Sequence, residues 1–487
     1  MRADLLLDAV EGLDEALAAV DGFDAVLVGG LLRPRPAQAG GLSGLADALA
    51  GTPLASRVAE AAEKTSAGGG DEGHFVALAA ARTALLGSVH DALVARVDEV
   101  TGRPVADPWA AAPDSGEERA GNLLVAARGW LCDLARTGWQ GIDHELVGGA
   151  APVVSAMLPD PALRRLATLL DGFAAELAAC CPGASLDRVP VRRWADLWAR
   201  ALLLTLPGAA SGPAVREVGG RLLPLGVDVQ EHATAVQAQV HAVFEPADGG
   251  VPRLVRASVS APKPDTVVGA GLWQVLRPHM SLLAAVGEGR AVDIDAMPLT
   301  AEGDLLWDDS RARAGEPADV FTSARVALPA AAAFAVSPLD RHPVRIAVPV
   351  LVEGYGVEGY GVEGAGAEGY GVEGDGVEDA RDAAGGVVLD VAGCRLRVDT
   401  DRVPAAGPLT PQAVASSGAC LGLLRWDAGE FLLQPLAVER TVRKKPVAVH
   451  AGAWAGGTSD KAGARAEKAA TDAVVVLRER AGKLLRK

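Results

Sequence analysis

Residues Ala235 to Phe244 read AVQAQVHAVF. Val236, Ala238, Val240, Ala242 and Phe244 alternate with Gln237, Gln239, His241 and Val243, the two-residue period of a strand with one buried face. Downstream, the turn-rich stretch Pro246 to Pro252 carries Asp248-Gly249-Gly250, and Val255, Ala257 and Val259 then alternate again. Two alternating runs around glycines predict a β-hairpin with a loose loop. Val344, Ile346, Val348, Val350 and Val352 repeat the pattern. Val387 to Val391, the turn Ala392-Gly393, and Cys394 to Val398 predict a second hairpin, and the chain stays strand-like from Leu421 to Val449. Hairpins joined this way build a mainly antiparallel sheet.

Upstream the period is helical. Leu6, Val10, Leu13, Leu17 and Val20 recur at spacings of four and three, which predicts one amphipathic helix. Thr52-Pro53 and Asp160-Pro161 carry the signature of an N-cap followed by proline at the first helical position. Leu163, Leu166, Leu170, Phe173 and Leu177 keep helical spacing, as do Trp194, Leu197, Trp198 and Leu202. Loops are expected near Gly102 to Glu117 and near Pro207 to Pro213. The fold class is therefore α+β, a helical N-terminal bundle followed by a β-rich region and a C-terminal helix. The expected segments are a helical domain over 1–212, an α+β domain beginning at 215–351, a repeat loop over 352–379, a β-rich continuation over 380–455 and a basic helix over 458–487.

From Val352 to Glu378 the chain is a five-residue repeat, [Val/Ala]-Glu-Gly-[Tyr/Ala/Asp]-Gly, holding all three tyrosines. Two glycines per repeat make ordering costly, and the glutamates repel one another. A mobile, dispensable loop between two strands is preferred to an acidic binding arm.

The 487 residues are 49% apolar, 22% charged and only 4% aromatic. A chain this long can bury a large core without disulfides or metals. Its net charge of −16 is unevenly spread: residues from Arg440 onward carry +8, and the rest −24. An acidic body repels nucleic acid and anionic membrane, so an anionic partner must approach through the basic end. Asp4, Asp8 and Glu11 interrupt the apolar residues that a signal peptide requires. No apolar run reaches a membrane span. Five scattered cysteines suit neither a disulfide framework nor paired zinc knuckles. A cytoplasmic protein is expected. The Ala, Gly and Arg bias suits a high-GC bacterium.

Chemical motifs are sparse. Gly269-Ala270-Gly271-Leu272-Trp273-Gln274 follows Thr266-Val267-Val268 like a dinucleotide turn, but Gln274 replaces the third glycine and Pro278 interrupts the helix. A plain strand-to-helix turn is preferred, and no cofactor is expected. Asp293, Asp295, Glu302, Asp304, Asp308 and Asp309 cluster in sequence. Carboxylates of Asp293, Asp304 and Asp308 would suit a divalent cation, and Asp304, Asp308 and His342 would suit acid–base work in a metal-dependent hydrolase. A solvated turn between strands is the commoner origin of such a cluster. Asp340-Arg341-His342-Pro343 is a compact polar turn that offers Arg341 to an anion, although an Asp340–Arg341 pair closing the turn is preferred. The basic end offers Arg443, Lys444 and Lys445, then Arg478, Arg480, Lys483, Arg486 and Lys487 on the expected terminal helix. Those cations either suit the helix dipole or form a partner-binding surface.

Three segments carry a family resemblance: Arg192 with Trp194-Ala195-Asp196-Leu197-Trp198, Met297-Pro298-Leu299-Thr300 with Gly303-Asp304-Leu305-Leu306-Trp307, and Pro338 to Pro343. They resemble an uncharacterised family of actinobacterial cytoplasmic proteins that accompany MoxR-type ATPases, von Willebrand A proteins and SWIM zinc-finger proteins. The resemblance implies an accessory role in a multi-protein system, with an AAA-type ATPase system among the partners, and supplies no catalytic residues. The expected function is a non-enzymatic interaction protein. The alternatives are the metal-dependent hydrolase near Asp304 and nucleic-acid binding through the basic tail alone.

Overall fold

The structure, a computed structural model, describes residues 2–104, 121–209, 213–358 and 386–457, together with 464, 465 and 468. The N-terminal part is helical: α1 (Leu13–Gly29), α2 (Pro36–Asp47), α3 (Ala55–Ser66), α4 (Glu72–Thr101), α5 (Gly121–Thr137), α6 (His144–Gly148), α7 (Ala150–Met157), α8 (Arg164–Ala179) and α9 (Val191–Leu204). Their apolar stripes meet around Trp139, Trp194, Trp198, Phe23 and Phe173, all fully buried. Trp139 meets Trp194 edge-on at 5.7 Å, the arrangement that ring quadrupoles favour. Few aromatics therefore suffice, because they sit together at the bundle centre.

The expected single helix over Leu6 to Val20 is two elements. Residues 3–7 form a 3-10 turn, and α1 begins only at Leu13, after Gly12 in the left-handed conformation at φ 74°. Arg96 ties down the break by donating to the carbonyl oxygens of Leu5 and Asp8. Leu6 joins the β-region core, whereas Val20 joins the helical one. The two proline signatures also sit one turn early: α3 starts at Ala55 and α8 at Arg164. Thr52 and Asp160 instead close turns by accepting from the backbone N–H of Leu54 and Ala162.

The β-region holds two sheets. In the first, β1 (Val215–Glu231), β2 (Ala235–Pro246), β3 (Arg253–Pro262), β4 (Arg290–Thr300), β5 (Asp304–Leu305) and β6 (Ala312–Pro317) pair in the order β1-β2-β3-β5-β4-β6. β1 also pairs with β4, so five strands close into a ring. The AVQAQVHAVF strand pairs antiparallel with β3 across the loop expected from its sequence. The second sheet joins β7 (Val348–Glu353), β8 (Gly356–Glu358), β9 (Val388–Val391), β10 (Cys394–Val398), β11 (Ala419–Asp427), β12 (Glu430–Val442) and β13 (Lys445–His450). The expected β9–β10 hairpin forms. The class is α+β, and among the described residues all but two of the pairings between strands are antiparallel.

The sheets meet where β1 shifts register at Gly226: a Cβ there would lie 2.7 Å from that of Leu436 on β12. Only glycine permits that approach. Between the sheets, Asp228 accepts from Gln434 at 2.8 Å and from Arg425 at 3.1 Å. One core continues through both sheets and reaches Val97 and Val100 at the end of α4.

Other expectations change. The strand expected from Val344 begins only at Val348, since Pro343–Arg345 is a 3-10 turn held beside the helices. Thr266 to Val268 form no strand; the segment turns directly into 3-10 residues 269–271. The first repeat unit is part of the fold, with Glu353 ending β7 and β8 pairing with β9. Tyr355 is half-buried there and shares a 2.6 Å hydrogen bond with Ser417, which overturns the expectation that the repeat is loop from its first residue. The loop expected near 207–213 begins with turn residues 207–209, whereas most of the loop expected near 102–117, the later repeat units and nearly all of the expected terminal helix lie outside the described residues. Among the described residues, no helix is long and apolar enough to cross a membrane.

Candidate functional site

The acidic residues do not converge. β4 alternates buried Val292 and Ile294 with exposed Asp293 and Asp295, so these two face solvent because a strand has period two. Asp293 lies opposite Arg221 on β1 and Arg313 on β6. Asp304 stands beside Arg256 in the parallel β3–β5 register and accepts from it at 2.9 Å. Burial raises the Asp304 carboxyl, opposed by Arg256. Asp308 accepts from the backbone and hydroxyl of Ser310. Hydrogen bonds from Ser310 hold its carboxyl below the usual range. Among the described residues, no three His, Cys, Asp or Glu side chains group as metal ligands. The alternative sets, Asp293, Asp304 and Asp308 for a metal and Asp304, Asp308 and His342 for acid–base work, are thus not brought together: Asp304 pairs with Arg256, Asp308 closes a local turn, and His342 bonds Asp196.

His342 belongs to a different place. A groove of about 400 Å³ runs between α4, α9 and the 338–345 segment. Arg82 comes from α4, Arg192, Arg193 and Arg200 from α9, and Arg341, His342 and Arg345 from the segment. Arg82, buried at 2% exposure, grips Asp24 through Nε at 2.6 Å and Nη2 at 2.8 Å. Its Nη2 also lies 2.6 Å from Asp196, which bonds His342 Nε2 at 3.1 Å. Burial pushes the Asp24 carboxyl up to about 6 against the pull of Arg82. Burial also opposes ionisation of Asp196, yet hydrogen bonding from His342 and the charge of Arg82 leave its carboxyl below the usual range.

Asp340 takes Arg200 and Arg345, together with Arg165 at 2.9 Å. Despite its burial, the hydrogen bond and charge of Arg200 and the charge of Arg345 bring its carboxyl down to about 2. Arg341 reaches past Asp340 to Asp91 at 2.9 Å, so the expected Asp340–Arg341 pair is replaced by three long-range ones, Arg341 with Asp91 and Asp340 with Arg165 and Arg200. These partners lie 140 to 250 residues apart in sequence, which no local spacing reveals.

The basic end divides. Beyond Glu439, β12 pairs only with β13, forming a two-stranded finger. Eight consecutive residues, Arg440 to Val447, are exposed. Among them stand Arg440, Arg443, Lys444 and Lys445, with no carboxylate. Val442 faces Lys445 across a two-residue turn in which Arg443 and Lys444 hold φ of 50° and 65°. Both values belong to the tight hairpin turn that Asn-Gly normally fills. Of the expected partner-binding residues, Arg478, Arg480, Lys483, Arg486 and Lys487 lie outside the described residues. The chain matches no protein-family model, no curated protein and no solved structure.

Proposed function

We propose that this chain is a non-enzymatic accessory protein of a bacterial cytoplasmic multi-protein system, docking on an acidic surface of a partner protein through the β12–β13 finger. One observation carries the reading: an exposed run of four cations without a carboxylate, on a chain of net charge −16. An acidic body cannot attract an acidic partner, but a projecting cationic tip steers one into a single orientation. The turn supports the reading further. Side chains at two left-handed positions cost about 1 kcal/mol each, and Asn-Gly would avoid that cost. Retaining cations there is what a binding tip requires. The family resemblance makes an AAA-type ATPase system the partner to try first.

The test is affinity capture by the full chain against an R443E/K444E variant, with and without nuclease. The expected result is a protein retained by the wild type near 0.1 M salt and lost in the variant. Capture that depends on intact nucleic acid would favour nucleic-acid binding, and equal capture by both chains would discard the finger.

A further inference from the structure

We propose that the groove between α4, α9 and residues 338–345 binds a small molecule bearing a phosphate or pyrophosphate group. This goes beyond the docking of a partner protein and rests on different residues. The groove has the volume of a small-molecule site, about 400 Å³. Six arginines line it, drawn from three separate parts of the chain. The carboxylates that hold these arginines are Asp21, Asp24, Asp91, Glu176, Asp196 and Asp340. Of those six, only Asp196 lines the groove. The groove lining therefore carries six guanidinium groups against the single carboxylate of Asp196.

The geometry of the pairs matters as much as their number. Arg192 binds Asp21 through Nε and Nη2, and Arg193 binds Glu176 through the same two nitrogens. Two parallel bonds fix the plane of a guanidinium and leave Nη1 without a carboxylate. Arg345 gives Nη1 to Asp340, which leaves Nε and Nη2. Planar donors held rigidly by carboxylates match the oxygens of phosphate, and little side-chain entropy is lost when the ligand arrives. Three of the arginines remain accessible, the side chains of Arg192, Arg193 and Arg345 being 61%, 65% and 50% exposed, whereas those of Arg82 and Arg200 are largely buried. Apolar contacts from Leu86, Leu197 and Val344 offer a surface for the organic part.

The test titrates the full chain calorimetrically with pyrophosphate, inorganic phosphate and citrate at constant ionic strength. Arg193→Gln and Arg345→Gln are the groove variants. Both side chains are at least half exposed, and Asp340 keeps Arg165 and Arg200 when Arg345 is replaced, so both variants should fold. Their unfolding temperatures without ligand check this. The expected result is saturable pyrophosphate binding, tighter than citrate binding and weakened about ten-fold or more by either substitution, since a hydrogen bond to a charged group is worth about 1.5–3 kcal/mol. An R443A/K444A finger variant should bind pyrophosphate like the wild type. The proposal is overturned by absence of saturable binding, by citrate binding as well as pyrophosphate, by full binding in both folded groove variants, or by loss in the finger variant.

Discussion

His241 is completely buried on β2, opposite Gly226, and its Nε2 has no hydrogen-bond partner. Burial holds its pKa down at about 3; the charge of Asp228 opposes this, while Arg256 and Arg425 reinforce it. The imidazole is thus neutral in the folded chain but takes a proton below about 6.5 in the unfolded one. Between those values the unfolded state binds the extra proton, so stability falls as pH falls through this window. The slope from one group reaches ~1.4 kcal/mol per pH unit. His450, lowered by burial as well, adds in the same direction. We expect His241→Leu to flatten the loss of stability between pH 6.5 and 4 relative to the wild type, as read by urea denaturation at several pH values. Parallel curves for the two proteins would show that His241 does not titrate this way.

Among the elements, the β12–β13 finger sets local stability against use. Its turn residues Arg443 and Lys444 adopt positive φ, where a side chain crowds the backbone and glycine does not. Replacing them by Asn-Gly should raise stability by about 2 kcal/mol while abolishing partner capture. Thermal unfolding and the capture assay together read both effects. A variant that is stabilised yet still captures the partner would separate the cations from binding. The strands of this region were legible because each buries one face: β2, β9 and β10 announce themselves by alternation and turn glycines. The break before α1 was not, because Gly12 offers no more signal than any glycine on an amphipathic stripe. Nor was the arginine groove visible, since Arg82, Arg200 and Arg341 find their carboxylates on distant segments. Clustering in sequence is not convergence in space. Asp293 and Asp304 are near in number, but strand pleating and cross-strand arginines assign them to separate places.

Across the whole molecule, α4 ties the helical part to the sheets. Its start is capped by Asp71, which accepts from the His74 backbone N–H, and its end by left-handed Gly102. Thirty residues span ~45 Å. Phe75 and Leu78 lie in the helical core, Val89 and Leu93 pack with Ile346 and Trp426, and Val97 and Val100 enter the β-region core. Just past the helix, buried Arg103 donates to the carbonyl oxygen of Pro349 on β7 at 2.9 Å. Fraying either part therefore exposes apolar surface belonging to the other, so the two should unfold together. Helical circular dichroism and tryptophan fluorescence are expected to give coincident denaturation curves. Leu93→Ala, which leaves a cavity at the junction, should shift both curves equally and cost about 2–5 kcal/mol. If the fluorescence curve moved while the helical signal stayed in place, the junction would be a local contact and α4 would not couple the two cores.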